Sequence, residues 1–218
     1  MGLTDYRNRH GGETAYVIGS GSSLNHISHT FFDDKLCFCV NFAGVSKMLR
    51  TFYSASHHHN DADEIARMRP DLTVFTTEVE QVPSEDRSPH PAQELNVIKV
   101  PTIEQRYAAF NPFDHWPEDP DTLIVGPSSL HFTMHLAAYM GAAHIVLVGT
   151  DCGEFDGQSR VTDYEHPDGL LHFDVWRNAL ESTANKLRSL GVSVHSLNPF
   201  VTPALEGHAY RSGTFGIN

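Results

Sequence analysis

The chain has no apolar run near the roughly 18 residues that a membrane span requires, and its polar N-terminus lacks the apolar centre of a signal peptide. The expectation is a chain without a transmembrane segment, cytoplasmic, with surface association through a partner left open. Positive charge is also scarce. Fifteen Lys and Arg stand against 27 Asp and Glu, a formal net charge of −12, with no basic run. That field opposes a polyanion, so no nucleic-acid partner is expected. Cysteine is sparse and odd in number (Cys37, Cys39 and Cys152), without the spacing of a disulfide framework. Reduced thiols follow, with Cys37 and Cys39 two apart on one strand face as small core residues. Internal repeats and low-complexity tracts are absent.

What remains is an ordinary globular composition, 40% apolar over 218 residues, enough to bury a full core in one domain. The first thirteen residues read as a loose lead-in and residues 14–218 as a single α/β domain. Strands are expected at Thr14–Ile18, Lys35–Val40, Thr51–Ser54, Leu72–Phe75, Asn96–Val100, Thr122–Val125, His144–Val148 and Val192–Ser196. Several are apolar at consecutive positions, as in parallel strands covered on both faces. Helices are expected at Asp61–Met68, Ser128–Met140 and Phe173–Leu190, the last two closed by Gly141 and Gly191. Strand alternating with helix predicts a doubly wound, mainly parallel sheet with helices on both faces. Residues 81–91 and 111–121 read as surface loops, and residues 153–171 as a lid beyond a strand end.

Two strand ends carry candidate ligand chemistry. The first strand runs into Gly19-Ser20-Gly21-Ser22-Ser23-Leu24, where glycines let backbone amides approach phosphate oxygens. As a dinucleotide fingerprint it fails twice, because Leu24 replaces the third glycine and Asn41 stands where a ribose-binding acid is required. A nicotinamide cofactor is disfavoured, and a tight turn with no ligand is the alternative. The second end is Gly149-Thr150-Asp151, whose carboxylate suits a ribose diol or a metal, or else begins a turn. Asn41 can donate to and accept from a base or sugar, or cap the following helix.

Histidines number 15. His57-His58-His59 before Asn60-Asp61-Ala62-Asp63 has metal-ligand residue types, but three consecutive side chains diverge on any regular element. His131 and His135 share a helix face, for which packing is the better reading. His166 and His172 flank a loop, and either has the pKa to take a proton from a hydroxyl.

The ordered set resembles the bacterial sialyltransferases of glycosyltransferase family 42, and the related motility accessory factor and 6-hydroxymethylpterin diphosphokinase group. The pieces are Val17–Leu24, Phe38-Cys39-Val40-Asn41-Phe42, Ser128-Ser129 leading a helix into Gly141, Ile145–Asp151 and Leu197-Asn198-Pro199. They run in order through most of the chain. The resemblance implies a Rossmann-like, GT-A-like fold and a nucleotide pocket of Gly19, Gly21, Ser22, Ser23, Asn41, Ser128, Ser129 and Asp151. It implies His172 as the general base, and a lid bearing Glu154, Tyr164 and His166. Ser22 stands where the family's opening motif has proline, and Leu130 where it has glycine after the serine pair.

The function expected is transfer of a sugar from a nucleotide-activated donor, CMP-sialic-acid-like, to a hydroxyl of a glycan or small-molecule acceptor. Preorganised donors would steady the leaving phosphate without a required cofactor or metal. A homo-oligomer is left open. One alternative is a diphosphokinase, with Mg²⁺ held by Asp151, Glu154 and Asp156. Against it, no lysine lies near the glycine loop in the sequence. A non-catalytic nucleotide-binding module is the other alternative.

Overall fold

A computed structural model describes residues 1–78, 95–104, 116–155, 158, 173–197, 210 and 211. Its centre is a seven-stranded parallel sheet. In chain order the elements are β1 (Thr14–Ile18), β2 (Leu36–Val40), α1 (Ala43–Ser46), β3 (Tyr53–Ser56), α2 (His59–Met68), β4 (Val74–Thr77) and β5 (Val97–Val100). Then follow β6 (Thr102–Glu104), β7 (Leu123–Val125), α3 (Ser129–Tyr139), β8 (His144–Val148), β9 (Glu154–Phe155), α4 (Phe173–Ser189), β10 (Ser193–Ser196) and β11 (Tyr210–Arg211). The sheet order is β10-β8-β1-β2-β3-β4-β5; β6 pairs with β7, and β9 with β11. This is the doubly wound Rossmann-like arrangement that the strand and helix alternation predicts.

Side-chain alternation divides the core into two layers. Ala15, Val17, Phe38, Val40, Ala55, Phe75, Ile145 and Leu147 pack with α3 and α4 on one face. Ile18, Cys37, Cys39 and Val148 pack on the other with Leu24, Phe32, Ala43 and Phe52, beside Ile65 and Ala66 of α2 against Val74. Register explains the division: Val17 pairs with Phe38 and Leu147, so large apolar side chains meet across neighbouring strands. Helix α3 is buried nearly all round because the sheet covers one side and α4 another. Gly141, at φ +98°, supplies the left-handed residue just past its end.

The N-terminal residues differ from the expected loose lead-in. Leu3–Tyr6 form a 3₁₀ turn, and Leu3 and Tyr6 enter the main core, with the Tyr6 ring edge-on to Phe75 at 5.1 Å. Strands β3 and β4 begin two residues later than the apolar pattern suggests. Phe52 and Leu72 are buried, but their backbones precede the ladder, so apolarity marked burial rather than pairing. The short strands β6, β9 and β11 carry no period of their own. Among the described residues no helix is long and apolar enough to cross a membrane.

Candidate functional site

From β1 the chain builds outward through β5 in one direction, then returns to place β8 and β10 on the other side of β1. The carboxyl ends of β1 and β8 therefore form the topological switch point, where open α/β sheets open a crevice for ligands. Both candidate loops are there, and they are tied together. Gly19 N–H donates to the Val148 carbonyl at 2.8 Å, and Gly21 N–H to the Gly149 carbonyl at 2.7 Å. Ser23 donates its amide to Asp151 Oδ2 at 2.8 Å and its hydroxyl to Asp151 Oδ1 at 2.5 Å.

These bonds revise the expected role of the glycine loop. A Cβ on Gly19 would lie 2.5 Å from the Gly149 carbonyl oxygen, and one on Gly21 2.5 Å from Asp151 Oδ2. The glycines are required by the neighbouring loop, and the amides of Gly19, Gly21 and Ser23 are committed to it rather than to a phosphate. Asp151 is buried, and desolvation raises its pKa against the lowering effect of the two Ser23 bonds. It anchors the loop from within the protein.

Two polar oxygens at this edge have no partner among the described residues, Ser22 Oγ and Asn41 Oδ1. Ser22 is 1% exposed. Asn41 follows β2 at φ +48°, a left-handed conformation that asparagine tolerates better than most side chains. Its backbone N–H donates to Ala55 O at 3.0 Å and its backbone carbonyl accepts from Ser54 Oγ at 3.0 Å. The helix-capping alternative is set aside, since Phe42 occupies the cap of α1. Buried polar groups in folded proteins nearly always find partners, so two orphans at one strand edge point to a ligand.

Helix α3 brings its first turn to the same edge. Ser128 is its N-cap residue and Ser129 its first, and Ser129 meets the residue just beyond β3. Ser129 Oγ lies 2.8 Å from His57 Nδ1 and accepts the His57 amide at 3.2 Å. The histidine triplet diverges only in part: His57 and His58 keep their rings together, and His59 turns away. The rings of His57 and His58 lie 4.0 Å apart between centroids, His58 N–H donates to Ser56 Oγ, and His59 Nε2 donates to the Thr77 carbonyl at 2.7 Å. Among the described residues no three His, Cys, Asp or Glu side chains gather as a metal cluster.

Lysine does reach the loop, contrary to the sequence reading. Lys47 Nζ donates to the Leu24 carbonyl at 2.7 Å, and burial lowers its pKa. His131 and His135 are packed residues of α3. Burial pushes His131 down to about 4 and His135 to about 3. Tyr164, His166, His172 and the Asn198-Pro199 pair lie outside the described residues, and of Glu154 only the backbone pairing of β9 is described. The structure thus gathers Gly19, Gly21, Ser22, Ser23, Asn41, Ser128, Ser129 and Asp151 along one edge and adds His57 and Lys47. Sequence spacing held no signal for Lys47, while the histidine triplet marked His57 without indicating its partner.

No family model, curated protein or solved structure matches the chain.

Proposed function

We propose that the chain is a glycosyltransferase-like enzyme that binds a nucleotide-activated sugar, CMP-linked, at the β1/β8 switch point and transfers the sugar to a hydroxyl acceptor. The observation that supports the nucleotide part is the pair of buried oxygens without a partner among the described residues, Ser22 Oγ and Asn41 Oδ1, just beyond the carboxyl ends of β1 and β2 at the switch point. Both accept hydrogen bonds, and the hydroxyl also donates, which suits a ribose or base edge. The sugar-transfer part draws on the ordered resemblance to the family 42 sialyltransferases, with His172 taking the acceptor proton. Asp151 acts in this reading by holding Ser23, and so the loop, in place.

Thermal unfolding with CMP, CDP, UDP, GDP, ADP and ATP, each with and without Mg²⁺, tests it. A ligand at a hundred times its dissociation constant adds about 2.7 kcal/mol, a midpoint rise of about 5–11 °C at this size. A metal-independent response to CMP supports the reading; no response to any nucleotide overturns it. Diphosphoryl transfer is the second reading, favoured by a cation that the fold delivers to the loop, Lys47. A response confined to ATP with Mg²⁺ would select it.

A further inference from the structure

We infer that Lys47 is a further substrate-contacting residue, the cation that meets the phosphoryl group of the bound nucleotide. The inference rests on the nucleotide reading above, in either of its two forms, and assigns a residue that no sequence motif marks.

The glycine loop is the customary seat for phosphate in such a sheet, but here the amides of Gly19, Gly21 and Ser23 serve the β8 loop. An anionic ligand at this edge therefore needs its positive partner from another element. Lys47 closes α1, the helix that follows β2. Its Nζ donates to the Leu24 carbonyl at 2.7 Å, and Leu24 belongs to the 3₁₀ turn Ser22–His26 that continues the glycine loop. That turn stands at the switch point itself, since a Cβ on Gly149 would lie 3.2 Å from Leu24 Cβ. The fold thus sets an amine from the β2 side against the end of β1.

The Leu24 carbonyl does not account for this amine. It already accepts the Ile27 N–H at 3.2 Å, and an ammonium has three hydrogens, of which one such bond uses one. Arg7, Lys35, Arg50, Arg67 and Arg69 each face a carboxylate, and Lys186 lies over the Trp116 ring. Lys47 has neither kind of partner among the described residues, although it is partly buried, and burial alone shifts its pKa, downward. A charge taken out of water without a counter-ion is costly, and buried charges are ordinarily paired. In a chain of formal charge −12 the missing counter-ion is not for want of acids. A ligand phosphate supplies it. Ser22 is the second, independent observation. It lies two residues before Leu24 on the same turn, 1% exposed, and its Oγ has no partner among the described residues. A phosphoryl group has several acceptor oxygens, enough to take one hydrogen from the amine and another from the hydroxyl.

The test is calorimetric binding of CMP and of cytidine to the wild-type chain and to Lys47→Met, which keeps the apolar stem, with circular dichroism confirming that the variant is folded. Lys47→Met should weaken CMP about tenfold or more and cytidine less than twofold, since a charge-assisted bond is lost only with the phosphate. Wild-type chain carrying ¹³C-lysine gives a readout that does not depend on variant folding. CMP should raise the Lys47 pKa, followed through its ¹³Cε resonance, and leave Lys35, Lys99 and Lys186 as they were. Where the wild-type chain binds ATP with Mg²⁺ and not CMP, ATP and adenosine take the same two places in the comparison. Equal loss of nucleotide and nucleoside, unchanged nucleotide affinity in Lys47→Met, or an unmoved Lys47 titration in a wild-type chain that binds the nucleotide would overturn the inference and leave the nucleotide reading standing. Failure of the wild-type chain to bind either nucleotide would remove both.

Discussion

His57 meets the first turn of α3 and His135 belongs to that helix, two turns further in, and their surroundings differ. His135 Nδ1 accepts the Ile124 amide at 3.0 Å, and its ring lies 4.3 Å from that of Trp116. An imidazole that must accept a backbone N–H and sits among apolar groups has to stay neutral. His57 Nδ1 faces the Ser129 hydroxyl at 2.8 Å, a partner that can give or take a hydrogen. Burial turns the first into a stability liability in acid. The second instead pairs with a small polar partner at the sheet edge.

Acid gives the largest separation between the two. His131 and His135 fall from the ordinary 6.5 to about 4 and about 3 in the folded chain. Above pH 6.5 both states are neutral and contribute no pH dependence. Below it the unfolded chain takes protons that the folded chain resists, and stability falls towards pH 4. From these values the two residues should lower unfolding free energy by about 4 kcal/mol between pH 7 and pH 5, read from urea midpoints. Asp151, whose pKa burial raises, works in the opposite direction. An unchanged midpoint would mean that α3 does not exclude water from these rings.

Next in size is His135→Ala, which opens a cavity and strands the Ile124 amide at a cost of about 2–4 kcal/mol in denaturant. It should also flatten the acid dependence, and His135→Gln, which keeps an acceptor, should flatten it at a smaller cost. Gly21→Ala follows, since its Cβ would displace Asp151 from Ser23. A cost of about 1–3 kcal/mol is expected, with loss of the nucleotide-induced shift in thermal midpoint. His57→Gln should move stability least, by under about 1 kcal/mol. Urea midpoints of the variant and the wild type check it. A large loss of stability there would make His57 a core residue like His135 and erase the contrast.

How much was legible depended on whether a signal was local. The consecutive apolar residues of β1, β2 and β8 announced strands buried on both faces, and Ser128 with Gly141 bracketed α3. The far ends of β3 and β4, Ala55-Ser56 and Thr76-Thr77, were missed because buried hydroxyls resemble loop residues in sequence. Leu3 and Tyr6 were missed because two anchors within polar surroundings show no period. At the site, the motif loops were visible, but the use to which they are put was not. Gly19 and Gly21 look the same in sequence whether a phosphate or a neighbouring loop needs the space, and only the 2.5 Å approaches decide.

The sequence by itself determined the alternation of strand and helix, the parallel sheet and the strand ends that bear polar groups. Those follow from periodicity, which acts over a few residues. Tertiary structure decided which groups meet: Ser23 with Asp151 across 128 residues, His57 with Ser129 across 72, and Lys47 with Leu24 across 23. Such pairings arise from strand order and from the placement of α3 across the sheet. They are set by the global balance of burial, which no short stretch of sequence contains.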